Sequence, residues 1–272
     1  MNRRKFIQIG ALSCCGLILP SCATNPVTDR RQLLIYPEAF INRQSAVFYK
    51  NFIRRSKISN DKKNTDLMIE IANKLVKSVD SYFKKMKIPN PTRDYKWEYN
   101  LIDSPQVNAF CAPGGKIAVY TGILKYTQNR DGLAAVMGHE IAHAVAKHSA
   151  ERMSRAIATE TGFAVADVAT GGAAGQVRQV FSEMTGQDVL DLTIMRTHGR
   201  KQESEADYMG LAFCSMSGYD LNETVRLWKR MNEKKGKKEI PQFLSTHPSS
   251  VTRILQLRAW IPEIKLEFPY SL

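Results

Sequence analysis

The apolar positions along the chain fall into helical and strand periods. Over residues 61–86, Leu67, Ile71, Leu75, Val79 and the Tyr82/Phe83 pair recur every three to four residues, which is one face of a helix. Ile88-Pro89-Asn90-Pro91 ends it, because proline removes a backbone donor and restricts the residue before it. Tyr95, Trp97, Tyr99 and Leu101 then alternate with polar residues, the period of a strand. A second short strand is predicted over 116–121, entered through Pro113-Gly114-Gly115. Four more helices follow from the pattern: 131–157; 200–216, ended by Gly218; 222–235, capped by Gly236; and 249–260. Between the first two, residues 158–196 are rich in Gly, Ala and Thr. They carry no clear period through 170–175, which suggests a loosely helical insertion too polar for a membrane span. Helices with one small sheet make an α+β fold, mainly α.

The N-terminus changes the picture. Arg3, Arg4 and Lys5 precede an apolar run over 6–20 that is too short to cross a bilayer comfortably. Leu19-Pro20-Ser21-Cys22 follows where the run stops, and it looks like a bacterial lipobox. The expectation is a signal peptide over 1–21, with Cys22 lipidated at the start of the mature chain. Arg3 to Ile7 also resembles a twin-arginine export signal, so the export route stays open. Residues 22–60, with Pro26, Pro37 and a helical pattern over 39–52, are expected to form an arm leading to a domain over 61–272. Of five cysteines only Cys111 and Cys214 then remain, too few for a disulfide framework. The net charge of +13 comes from scattered Lys and Arg, with no nucleic-acid motif beside them. This favours a basic surface apposed to membrane over nucleic-acid binding.

The chemistry lies in His139-Glu140-Ile141-Ala142-His143. On a helix, residues four apart share a face, so both imidazoles can reach one metal ion. Glu140 is turned by about 100° and can act on a metal-bound water without being a ligand. Zinc would lower the pKa of that water, and Glu140 would take its proton as general base and pass it to the leaving amine. Leu133, Ala134, Val136, Met137, Ile141 and Val145 surround the motif and predict burial, where two His and a Glu need partners. A third ligand is sought in Glu203-Ser204-Glu205-Ala206-Asp207. Glu203 and Asp207 are one turn apart and share a face, while Glu205 points elsewhere. The natural division puts Glu203 on zinc and Asp207 behind a ligand His. His148 sits off the metal face, as a structural residue, and His198 takes no role.

Several ordered motifs together resemble the HtpX and CAAX-prenyl-protease-like family of zinc metallopeptidases, and more narrowly its soluble, BepA-like lipoprotein branch. They are Asn108-Ala109-Phe110 with Pro113-Gly114-Gly115; Gly138 to His143 with Ala146-Lys147-His148; Glu203 with Ala206-Asp207; Thr246-His247-Pro248 with Arg253-Ile254; and the start Cys22 to Thr28. The resemblance implies a gluzincin-type fold with one zinc per chain and Glu203 as third ligand. It implies that strand 116–121 is a sheet edge that pairs with an extended substrate. His247 could fill the open position on the metal and hold the enzyme latent, or donate to the oxyanion; capping the following helix is the plainer role. The approach to the second motif departs from the pattern, with Gly199-Arg200 in place of Ser-Arg. The end at Leu272 leaves no room for the tetratricopeptide repeats of BepA-like relatives. The function so implied is a lipid-anchored endopeptidase of the bacterial periplasm, acting on misfolded or misassembled envelope proteins. Ala23 after the lipidated Cys favours the outer membrane. The rival is a zinc-binding, chaperone-like protein that no longer cuts.

Overall fold

The computed structural model describes residues 22–25, 28, 30–35, 38–160, 197–233 and 241–272. The expected export segment, the Gly/Ala-rich stretch from residue 161 to 196 and the Gly236 cap lie outside them. A short antiparallel hairpin opens the chain, β1 (Cys22–Thr24) against β2 (Arg31–Leu33). Helix α1 (Glu38–Arg55) follows and buries Ile41, Ser45, Phe48 and Tyr49. Phe48, Tyr49 and the half-buried Phe52 pack on Phe110 and Tyr120 of the sheet, and Tyr49 donates to the Ile117 carbonyl. The described part of the segment expected as an arm is therefore docked on the rest of the protein through α1 and through Gln32, which donates to the Ala146 carbonyl.

Helix α2 (Lys62–Met86) starts at Asp61, whose side chain accepts the Asn64 N–H at 3.0 Å. Its buried stripe runs from Met68 to Phe83 as the periodicity predicts. The sheet holds β3 (Glu98–Ile102), β4 (Ala109–Ala112) and β5 (Lys116–Tyr120) in the order β3-β5-β4, with β3 parallel and β4 antiparallel to β5. Two expectations change here. Tyr95 and Trp97 precede the strand: Tyr95 donates to the Ala144 carbonyl, and Trp97 packs beneath Gly115. Strand 116–121 is the centre of the sheet and not an edge, because β5 turns back from β4 and inserts between it and β3. Among the described residues, the edge beside the site is β4, which packs on the motif helix. The β4–β5 hairpin needs Gly114 and Gly115 at φ 81° and 83°.

A single turn, α3 (Leu124–Thr127), leads to α4 (Arg130–Val145), capped by Asn129. From Gly132 to Val145 every residue of α4 is buried. A helix apolar on nearly all sides belongs in a core, and α4 is flanked by β4, α2 and two later helices, Arg200–Met216 and Asn222–Asn232. The helix predicted over 131–157 is in fact two. Lys147 takes the left-handed conformation at φ 58°, and α5 (His148–Glu160) starts afresh. Helices α6 (Arg200–Met216), α7 (Asn222–Asn232) and α8 (Gln242–Thr246) follow. The last helix, α9 (Val251–Glu267), passes through Pro262, beyond the predicted end at 260, because the buried Ile261, Ile264 and Phe268 hold its last turn. Cys111 and Cys214 are buried free thiols.

Candidate functional site

Helices α4 and α6 carry the chemistry, and their closeness fixes its geometry. A Cβ on Gly210 would stand 3.1 Å from the Cα of His139, and one on Gly138 would stand 3.0 Å from Cys214 Sγ. Only glycine at these points lets the two backbones meet. This brings Glu203 and Asp207, on the first turns of α6, onto the face of α4 that carries His139 and His143.

His139 Nε2 and His143 Nε2 lie 3.0 Å apart. Glu203 Oε2 is 3.5 Å from the first, and Glu203 Oε1 is 3.3 Å from the second. His247 completes the cluster, with Nδ1 3.2 Å from His139 Nε2 and 3.0 Å from Glu203 Oε1. These four residues form a buried donor set of metal-binding dimensions. Asp207 Oδ1 lies 3.1 Å from His139 Nδ1, within reach though poorly aligned as a hydrogen bond. With the His139 proton on Nδ1 toward Asp207, and that of His143 on Nδ1 toward His148 at 2.8 Å, both Nε2 atoms present lone pairs to each other. Lone pairs at that separation repel unless a proton or a metal cation stands between them; burial would lower His139, but Asp207 and Glu203 raise it to about 9, so the cluster favours positive charge at this point. The donor set, two imidazoles and a carboxylate, suits zinc.

Charge follows the same geometry. Burial would raise the Glu203 carboxyl, but Arg253 and His247 hold it well below the usual carboxylate range. Burial and the neighbouring His139 push His143 well below an ordinary histidine, the neutral form that ligates metal. Burial raises Glu140, whose Oε1 has no well-formed hydrogen bond and lies 3.3 Å from His247 Nε2. A carboxylate raised in this way and left without a firm partner is suited to taking a proton.

Four residues gain a place that the sequence did not give them. Arg253, on the first turn of α9, grips Asp207 with Nε and Nη2 at 2.6 and 2.7 Å, pairs Nη1 with Glu203 Oε2 at 2.6 Å, and stacks 3.8 Å over the Trp228 ring. His198 packs at a tilt against His143 and stacks on His247, with centroids 3.8 and 4.8 Å apart, and contacts Arg152. His148 is off the metal face, as expected, but touches the back of His143. Glu205 faces away from the cluster, as expected, and receives the other nitrogen of His148 at 2.7 Å. The plainer role for His247 is not the one adopted: Ser250 caps α9 by accepting the Arg253 N–H at 3.1 Å, and the imidazole turns into the cluster. A cavity of about 490 Å³ borders Glu203, Asp207 and Arg253, walled by Pro248, Gln256 and Trp260.

The mainly helical fold, its small sheet and the two-histidine, one-glutamate donor set define a gluzincin-type zinc metallopeptidase. Residues 71–261 match the model of peptidase family M48, and the chain belongs to that family. It is similar to the mitochondrial metalloendopeptidase OMA1 of Schizosaccharomyces pombe, 36% identical over 192 residues, which are 70% of this chain and 54% of that protein. To OMA1 of Saccharomyces cerevisiae it is 30% identical over 271 residues, 96% of this chain and 75% of that protein. To the β-barrel assembly-enhancing protease of Escherichia coli it is 27% identical over 203 residues, 72% of this chain and 39% of that protein. The chain thus spans between about two fifths and three quarters of these relatives. The narrower BepA-like branch is not singled out, since the mitochondrial enzymes match at higher identity. No helix among the described residues is long and apolar enough to cross a membrane.

Proposed function

We propose that this chain is a zinc-dependent endopeptidase in which His139, His143 and Glu203 hold the metal and Glu140 is the general base. The observation that carries it is the convergence of the two Nε2 atoms, 3.0 Å apart, with the Glu203 carboxylate on one side and the raised, weakly held Glu140 carboxyl on the other. Zinc, when bound, supplies Lewis acidity and an acidified water. Glu140 would be the base for a proton of that water and its donor to the leaving amine. Asp207, held by Arg253, orients His139 from behind. His247 occupies the fourth corner of the cluster and acts as a latch, since its Nδ1 faces the donor set. The substrate backbone adds to the outer edge of β4, a correction of the strand expected for this role.

The substrates are unfolded or misassembled envelope proteins. Membrane attachment through a lipid on Cys22 places the enzyme in the bacterial periplasm, at the outer membrane. Similarity to a β-barrel assembly-enhancing protease and the Leu19 to Cys22 pattern support this setting. Purified protein should carry about one zinc, lost from a His139→Ala/His143→Ala double variant; metal retained at parent stoichiometry there would reject the site. Cys22→Ser should release the protein from membranes, and full retention would reject the anchor.

A further inference from the structure

The hydrogen bonds behind His143 run outward through His148 and Glu205 to the hairpin at the start of the chain. His143 Nδ1 and His148 Nδ1 are 2.8 Å apart. If His143 turns its Nε2 lone pair to the metal, its Nδ1 carries the proton and donates it to His148. His148 then has its own proton on Nε2, 2.7 Å from Glu205 Oε2. Only this tautomer pair satisfies every atom, so the carboxylate fixes the tautomer of His148, which fixes that of His143. His148 is fully buried and reaches this place only because of the Lys147 break. On an unbroken helix, five residues at about 100° each would carry it some 140° away from His143.

Glu205 is held in turn by the hairpin. Arg30 donates Nε to Oε1 at 2.6 Å and Nη2 to Oε2 at 3.0 Å, and Thr28 Oγ1 donates at 2.8 Å. The same guanidinium spans to Glu151, with Nη1 and Nη2 each at 2.7 Å, so one cation balances two buried carboxylates. Gln32 ties the second hairpin strand to the Ala146 carbonyl, at the break between α4 and α5. Arg30 stands eight residues after Cys22. The segment nearest the expected anchor is thus separated from a metal ligand by two residues, Glu205 and His148.

We propose that Arg30, Glu205 and His148 are positioning residues through which docking of the N-terminal hairpin sets the affinity and geometry of the metal site. The proposal rests on the zinc reading above. Docked, the hairpin keeps Glu205 charged and aimed at His148; undocked, Glu205 is free to turn to solvent, and His143 loses its fixed tautomer.

The test uses the mature protein. Zinc affinity is measured by competition with a chromophoric chelator, and ligand geometry by the visible absorption of the cobalt-substituted form. His148→Phe, which keeps the buried volume, should weaken zinc by roughly 10- to 100-fold. Arg30→Ala should weaken it by about tenfold and shift the cobalt spectrum, and Arg30→Lys should restore part of both. Glu205→Gln, which keeps an acceptor and loses the charge, should fall between. In the His148→Phe background Arg30→Ala should add little, because the relay is already cut. Parent affinity and an unchanged cobalt spectrum in Arg30→Ala and Glu205→Gln, or losses that multiply fully in the double variant, would overturn the relay while the zinc site stands. A parent protein that binds no zinc would overturn both. A purely structural hairpin would lower the melting temperature of the zinc-free protein and move neither metal readout.

Discussion

Arg253→Met separates the charge that holds the site together from the packing around it. Methionine keeps an unbranched stem against Trp228 and removes the guanidinium. Two hydrogen bonds to Asp207, at 2.6 and 2.7 Å, and an ion pair with Glu203 at 2.6 Å disappear together. Both carboxylates are only 4% exposed, so water entering from the neighbouring cavity replaces the lost partner only in part. Removing one side of a buried charge pair costs about 3–5 kcal/mol, and two carboxylates share this one, so the upper part of that range applies to the zinc-free protein. Set against a typical stability of about 5–15 kcal/mol, that is a large fraction. In the zinc-loaded protein the loss should be smaller, because the metal restores positive charge beside Glu203. The assay is urea unfolding of parent and variant, with chelator and with zinc. A zinc-free loss below about 1 kcal/mol, or a loss that zinc does not reduce, would refute this account of the electrostatics.

Three more outcomes follow from the site. His247→Ala should raise basal proteolysis, self-cleavage included, while zinc affinity falls modestly; a fall in turnover of roughly 10²–10³-fold with zinc retained would instead assign His247 to the oxyanion. Burial would raise Glu151, but Arg30, Gln202 and Arg155 bring it from 4.5 to about 2. A lowered carboxyl stabilises the fold above its unfolded value, so after screening by solvent about 1–2 kcal/mol should be lost as pH falls from about 4.5 to 2. Thermal melting of the zinc-free protein should show this slope, flattened in Glu151→Gln; equal slopes would contradict it. Gly210→Val should destabilise the protein and weaken zinc together, because any Cβ there meets the His139 backbone; a variant with parent stability and affinity would show that the helices have room to part.

What the sequence revealed depended on how local the determining contacts are. His139 and His143 were legible because helical spacing alone puts them on one face, and Glu203 and Asp207 for the same reason on α6. Arg253 was not, since its partners lie 46 residues away in sequence and meet it only once α9 crosses α6. The contacts of His148 with His143 and Glu205 were not legible, because the break at Lys147 carries neither Gly nor Pro and the period ran on through it. The place of β5 at the sheet centre depends on a parallel neighbour, which periodicity cannot show. Helix α9 outran its predicted end because buried Ile264 and Phe268 outweigh the backbone bond that Pro262 gives up.

The central claim is that zinc and Glu140 together cut peptide bonds. The direct measurement is casein degradation by the mature protein, with and without chelator, beside a Glu140→Gln variant loaded with the same zinc. The account predicts cleavage by the parent that chelator abolishes and zinc restores, and none above background from the variant despite full metal content. Cleavage by Glu140→Gln at the parent rate, or by the parent in excess chelator, would contradict it.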